Sequence, residues 1–132
     1  LFGEFLKSFL KPVKVYENFS YPIKTEFGKK NRNVIIKWIN DSKKNNYNLI
    51  FADLRTQNLR KKSSIGSQEI DQSFCEFIQK EGANCYSFMK FLSKNKPETL
   101  LENISWETDG HFNHEGNKYY AEFLFQILKR YK

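Results

Sequence analysis

Leu49-Ile50-Phe51-Ala52 sets four apolar residues in a row, at the centre of a compact run from Tyr47 to Leu54. Side chains alternate faces along a strand, so a strand that is apolar at successive positions is buried on both sides. The patterns around it supply helices to cover it. From Asn31 on, Val34, Ile35, Trp38 and Ile39 fall on one helical face, with Lys37, Asp41, Lys43 and Lys44 around it, and Asn45-Asn46 ends the helix. After the polar loop Thr56 to Gly66 comes a second helix, with Ser67 as its cap and Ile70, Phe74, Phe77 and Ile78 as its apolar face. Gly82 ends that helix where a left-handed residue is needed. Asn84 to Phe88 reads as a short strand. Met89, Phe91 and Leu92 begin a short helix or turn, broken near Pro97. The last helix runs from about Glu115 to Tyr131, with Tyr120, Leu124, Leu128 and Tyr131 on one stripe. The order helix, strand, helix, strand, loop, helix implies an α/β fold, with right-handed crossovers and a parallel sheet covered by helices on both faces.

A chain of 132 residues is the size of one domain. Residues 1–30 are the least defined part: Val13 and Val15 alternate with lysines, which permits a short strand, and Pro12, Pro22 and Gly28 punctuate the segment. Leu1 to Leu10 is amphipathic, with Glu4 and Lys7, and does not read as a signal peptide. The start at Leu1 in place of Met suggests a trimmed chain. No apolar run approaches the roughly 20 residues that cross a bilayer. The net charge is +7, from 22 Lys+Arg against 15 Asp+Glu. The lysines are scattered, and the densest runs, Lys29-Lys30 with Arg32 and Arg60-Lys61-Lys62, are short. With no arginine cluster and no basic-aromatic interleaving, the charge reads as solvated surface and not as a nucleic-acid interface. Cys75 falls in a helix and Cys85 in the following strand. More than about ten ångströms of helical rise lies between them, so two buried free thiols are expected. The sequons at Asn18, Asn40 and Asn103 sit in an Asn-rich chain and indicate no compartment.

The segment Trp106 to Asn117, just before the last helix, holds both histidines of the protein, His111 and His114, and the three carboxylates Glu107, Asp109 and Glu115. A histidine acting as a general base needs one ring nitrogen toward its substrate and the other held by an acceptor. A carboxylate in that role fixes the tautomer and stabilises the imidazolium that forms. Asp109 can reach His111 if the loop turns back on itself, and Gly110 permits that turn. Asn113 can cap the helix, and Gly116 allows close packing of its first turn. Two other readings stay open on the residues alone. One is a polar helix-entry loop with Asp109 and Asn113 as turn and cap. The other is a metal site built from His111, His114, Asp109 and Glu115. The spacing matches no closed zinc motif, and helical histidine pairs need four residues of separation where this pair has three. No metal or other cofactor is therefore assigned.

The block Asp109-Gly110-His111-Phe112-Asn113-His114-Glu115-Gly116-Asn117, continuing into Tyr120-Ala121-Glu122-Phe123-Leu124, resembles the C-terminal block of SGNH (GDSL-type) hydrolases. There an Asp and a His precede a helix that carries a Gly and then an Ala near its start. The upstream order of elements also resembles the second half of that family's three-layer α/β/α, flavodoxin-like domain. The likeness covers about 31–132, and its specific motif about a dozen residues. It implies a serine ester hydrolase or acyl (acetyl) transferase acting on carbohydrate or lipid esters, in an extracytoplasmic setting. His111 would be the catalytic base and Asp109 its partner, with His114 a surface bystander. The family's classical spacing is Asp-x-x-His, whereas this chain has Asp-x-His, which leaves Glu107 as a second acid to consider.

The rest of the family pattern is missing. No Gly-Asp-Ser follows a first strand, and the oxyanion-hole glycine and Gly-x-Asn-Asp asparagine are absent. Asn40-Asp41 is the only Asn-Asp pair and lies in a helical stretch. Ser20, Ser63, Ser64 and Ser67 lack the strand-to-helix setting that exposes a nucleophile. Residues 1–132 are therefore expected to be a single α/β domain or the C-terminal part of one. In the second case the nucleophilic serine comes from an N-terminal portion of the same protein. The alternative function is a non-catalytic glycan- or protein-binding module that kept the fold.

Overall fold

The apolar run becomes β1, Ile50–Asp53, which pairs in parallel with β2, Asn84–Ser87, in the register Ile50 to Asn84 through Asp53 to Ser87. The computed structural model describes residues 26–56 and 58–131. The chain divides into two compact units, residues 1–35 and 36–132. Of the first, only the opening turns of helix α1, Glu26–Lys44, are described; the strand expected at Val13 and Val15 lies outside the described residues. Helix α1 begins five residues earlier than the Asn31 start read from the apolar spacing. The second unit contains the sheet, α2 (Ser73–Lys80), α3 (Phe88–Asn95), the single turn α4 (Leu101–Ile104) and α5 (His114–Leu128). Short 3-10 turns at Ile65–Ser67 and Lys129–Tyr131 complete it. The protein is thus a mixed α/β chain whose described residues form a small parallel two-stranded sheet.

The β1 ladder is shorter than its apolar run because it ends where its four-residue partner ends. The two faces of the sheet meet different neighbours. On one, Phe51 meets Phe74 of α2 edge-on, with ring centres 6.3 Å apart. On the other, Ile50, Ala52 and Tyr86 pack against a buried cluster of Ile65, Phe88, Met89, Leu92, Leu101, Ile104, Phe123 and Ile127. Burying one such side chain contributes about 1.5–3 kcal/mol, so this cluster is the main apolar contribution to the unit. Phe88 sits at its centre, with Phe112, Tyr120 and Phe123 ring centres 5.2, 5.5 and 5.4 Å away.

Three sequence expectations are corrected. Cys75 and Cys85 form a disulfide, with Cα atoms 5.0 Å apart. Helical rise does not measure their separation, because the turn through Gly82 (φ +87°) sends β2 back alongside α2. Closing that ten-residue loop stabilises the fold by roughly 2–3 kcal/mol through the unfolded chain's lost entropy. Ser67 does not cap α2. It ends the 3-10 turn and its hydroxyl donates to the Ser64 carbonyl, while Asp71 accepts the amide of Ser73 at 2.8 Å. That bond, from the Ser73 hydroxyl and amide together, holds the Asp71 carboxyl below the usual range. Finally, the buried face of α5 is Gly116, Phe123 and Ile127, and Leu128 is exposed. Of the expected stripe, Tyr120, Leu124 and Tyr131 pack against the edge of the cluster and only Leu128 turns outward, because a row taken every four residues drifts about 40° per step around a helix.

Candidate active site

The loop from Ser105 to Phe112 is a small hairpin tied down at both ends. Ser105 and Phe112 form an antiparallel bridge, the Trp106 amide donates to the His111 carbonyl at 2.7 Å, and the Gly110 amide donates to the Trp106 carbonyl at 3.2 Å. Gly110 adopts φ +73°, a left-handed conformation costly to residues with a Cβ. Below the hairpin, the Phe112 ring stands edge-on to Phe88 in the core.

The following helix start is equally fixed. Asn113 caps α5, its Oδ1 accepting from the Gly116 amide at 3.0 Å and its Nδ2 donating to the Asn103 carbonyl at 2.9 Å. Gly116 lies against the Ile104 carbonyl and the Phe112 Cβ so closely that a side chain there would collide with backbone. The close packing expected of Gly116 is present, and it presses the first turn of α5 onto α4.

In this frame the turn brings Asp109 and His111 together. The His111 amide donates to Asp109 Oδ1 at 3.0 Å, and His111 Nδ1 lies 3.1 Å from Asp109 Oδ2. One carboxylate thus holds both the backbone and the ring of the residue two positions on. With the Nδ1 proton directed at Asp109, Nε2 is the basic nitrogen. The His111 amide, and then its imidazole, hold the Asp109 carboxyl below its usual range. Both side chains are open to solvent, 63% exposed for His111 and 52% for Asp109. Of the two acids weighed for this role, Asp109 makes the contact; Glu107 forms no hydrogen bond or ion pair among the described residues.

His114, expected as a surface bystander, is exposed. Its ring stands edge-on to Trp106 with centres 5.9 Å apart, bracing an indole that is itself 49% exposed. Among the described residues no group of three or more His, Cys, Asp or Glu side chains is placed to hold a metal ion.

Two features were not read from the sequence. Ser87 has the strand-to-helix setting that the other serines lack, at the end of β2 and the start of α3. Its Oγ accepts the Lys90 amide at 3.3 Å and the residue is buried, so it serves as a helix cap. A Ser directly before an apolar-periodic segment is the signal for that role. Across the register from Ser87, buried Asp53 takes Arg55 as a bidentate partner at 2.8 and 2.9 Å. Arg55 also reaches Asp71 at 3.5 Å and covers the Phe74 ring.

Compared with known proteins, the chain matches no family model, no curated protein and no solved structure.

Proposed function

We propose that this chain carries the acid-base half of a serine ester hydrolase or acyltransferase of the SGNH type. The observation that carries the reading is the Asp109–His111 contact, held by a backbone amide and a ring nitrogen while the imidazole stays open to solvent. In the reaction His111 Nε2 takes the proton of a serine hydroxyl as it attacks the ester carbonyl. The same nitrogen then returns the proton to the leaving alcohol, and water or an acceptor alcohol repeats the cycle on the acyl-enzyme. Asp109 orients the ring and stabilises the imidazolium between those steps. Backbone amides and an asparagine from the N-terminal portion hold the oxyanion.

The nucleophile in this reading lies in an N-terminal portion of the same protein. One observation supports it: β1 pairs only with β2, so its other edge has no strand partner among the described residues. An unpaired strand edge is a template for another strand. The full three-layer α/β/α sheet is then completed from outside these residues, with Phe51 and Cys85 on the α2 side and Ile50, Ala52 and Tyr86 on the cluster side. Carbohydrate esters suit the site because the exposed Trp106 indole, opposite His111 in the hairpin, offers a flat apolar face for a sugar ring.

Hydrolysis of p-nitrophenyl acetate by the full-length protein tests the reading. His111→Ala lowers the rate by about 10³-fold or more if it is the base; unchanged hydrolysis removes the catalytic assignment and leaves a non-catalytic glycan- or protein-binding module. Gel filtration of the isolated 132 residues tests the incomplete sheet: association through the open edge is expected, and a cooperatively folding monomer counts against it.

A further inference from the structure

A second site lies away from the histidine loop, where β2, α3 and α5 enclose a groove of about 290 Å³. Three cations line it: Lys90 and Lys94, one turn apart on the same side of α3, and Arg130 beyond the end of α5. All three are exposed. None forms an ion pair among the described residues, and no carboxylate lines the groove. Elsewhere in the unit Arg55 pairs with Asp53 and Lys96 with Glu122. Like charges set one helical turn apart repel, and an anion between them relieves that repulsion.

The remaining lining narrows the ligand. Asn95 lines the groove and donates its Nδ2 to the Phe91 carbonyl at 2.8 Å, which keeps its Oδ1 as an acceptor, and Gln126 adds an exposed carboxamide. Carboxamides pair well with hydroxyl groups, which both donate and accept. The aromatic faces here are already used. The Arg130 guanidinium lies over the Tyr86 ring at 5.3 Å, and Phe91 stacks on Phe88 and tilts against Phe123. Nucleic-acid bases would have no open ring to stack on, which single-strand binding requires. Roughly 18 Å of helical rise separates Gln126 from His114, so the groove is not the reaction centre.

We infer that this groove binds an acidic glycan, its carboxylates held by Lys90, Lys94 and Arg130 and its hydroxyls by Asn95 and Gln126. The site stands independently of the role proposed for His111. Calorimetric titration of the full-length protein with oligogalacturonate tests it. The triple variant Lys90→Gln, Lys94→Gln, Arg130→Gln is compared with Arg60→Gln, Lys61→Gln, Lys62→Gln, which removes the same charge from another surface. The expected result is salt-sensitive binding that weakens by about tenfold or more in the groove variant and by less than about threefold in the control. Any of four outcomes overturns the proposal: no binding by the native protein, equal losses in both variants, tighter binding of an oligothymidylate of the same charge, or self-association of the groove variant at unchanged glycan affinity. The last would mean that the cations only guard the β2 edge.

Discussion

Asp53–Arg55 and Asp109–His111 are built on the same local plan and set in opposite surroundings. In both, an aspartate accepts the amide of the residue two positions on, at 3.1 Å for Arg55 and 3.0 Å for His111, and also binds that residue's side chain. The first pair lies at the carboxyl end of β1 with Asp53 only 4% and Arg55 15% exposed. The second sits on a surface hairpin with more than half of each side chain in water. The motif is thus indifferent to its use, and solvent decides. A permanent cation bonded in the interior is a structural tie, whereas an exposed imidazole that can gain and lose a proton is equipped for chemistry.

The contrast can be broken most sharply by activity. Asp109→Asn is expected to lower ester hydrolysis by about 10²–10⁴-fold while the melting temperature stays within a few degrees, since solvent screens an exposed pair. A large loss of stability would place the pair with the structural ties. The buried pair should behave in reverse. Asp53→Ala removes the bidentate partner of the Arg55 guanidinium, and about 3 kcal/mol of stability should be lost in chemical denaturation; a loss below about 1 kcal/mol would show that the remaining contacts, Asp71 and the Phe74 ring among them, suffice to hold Arg55. Gly116→Ala probes the frame between them. Its Cβ meets backbone, so about 1–3 kcal/mol is expected, with activity falling because the hairpin shifts.

The smallest effects are titrations. The Asp109 carboxyl is depressed, so its contribution is present above the ordinary carboxylate value of about 4 and is lost only as pH falls through the lower folded value. Carboxyl NMR should find Asp109 titrating below an unstructured Asp, and a normal midpoint would mean the contact does not persist in solution. Tyr131 is the alkaline counterpart. Burial, then its hydrogen bond with the Tyr86 hydroxyl at 2.9 Å, pushes it up to about 12. That stability is intact below the ordinary tyrosine value of about 10 and is lost as pH rises toward the folded one. In absorbance titration Tyr131 should therefore ionise late, in company with Tyr120, whose burial also pushes it up, and Tyr86→Phe should bring Tyr131 forward.

What could be read in the sequence followed the range of each interaction. The β1 run, Gly82, the Asn113 cap, Gly116 and the Asp109–His111 turn are set within a few residues of themselves, and local chemistry revealed them. The Cys75–Cys85 bridge escaped because it depends on β2 doubling back along α2, a tertiary event that axial rise does not describe. Asp53-Leu54-Arg55 carries the same spacing as Asp109-Gly110-His111 and drew no notice, because its meaning rests on burial. The cations of the groove come from α3 and the end of α5, 36 residues apart between Lys94 and Arg130, and only packing unites them. No Gly-Asp-Ser motif occurs in the sequence, and among the described residues Ser87, a serine between strand and helix, is occupied as a cap.

Fluorophosphonate labelling of the full-length protein, followed by peptide mass spectrometry, tests the acid-base pair and its outside nucleophile together. The expected result is a single serine adduct outside the 132 residues from Leu1 to Lys132, formed in the native protein and lost in His111→Ala. An adduct on a serine within this stretch, or one formed equally well without His111, would contradict it.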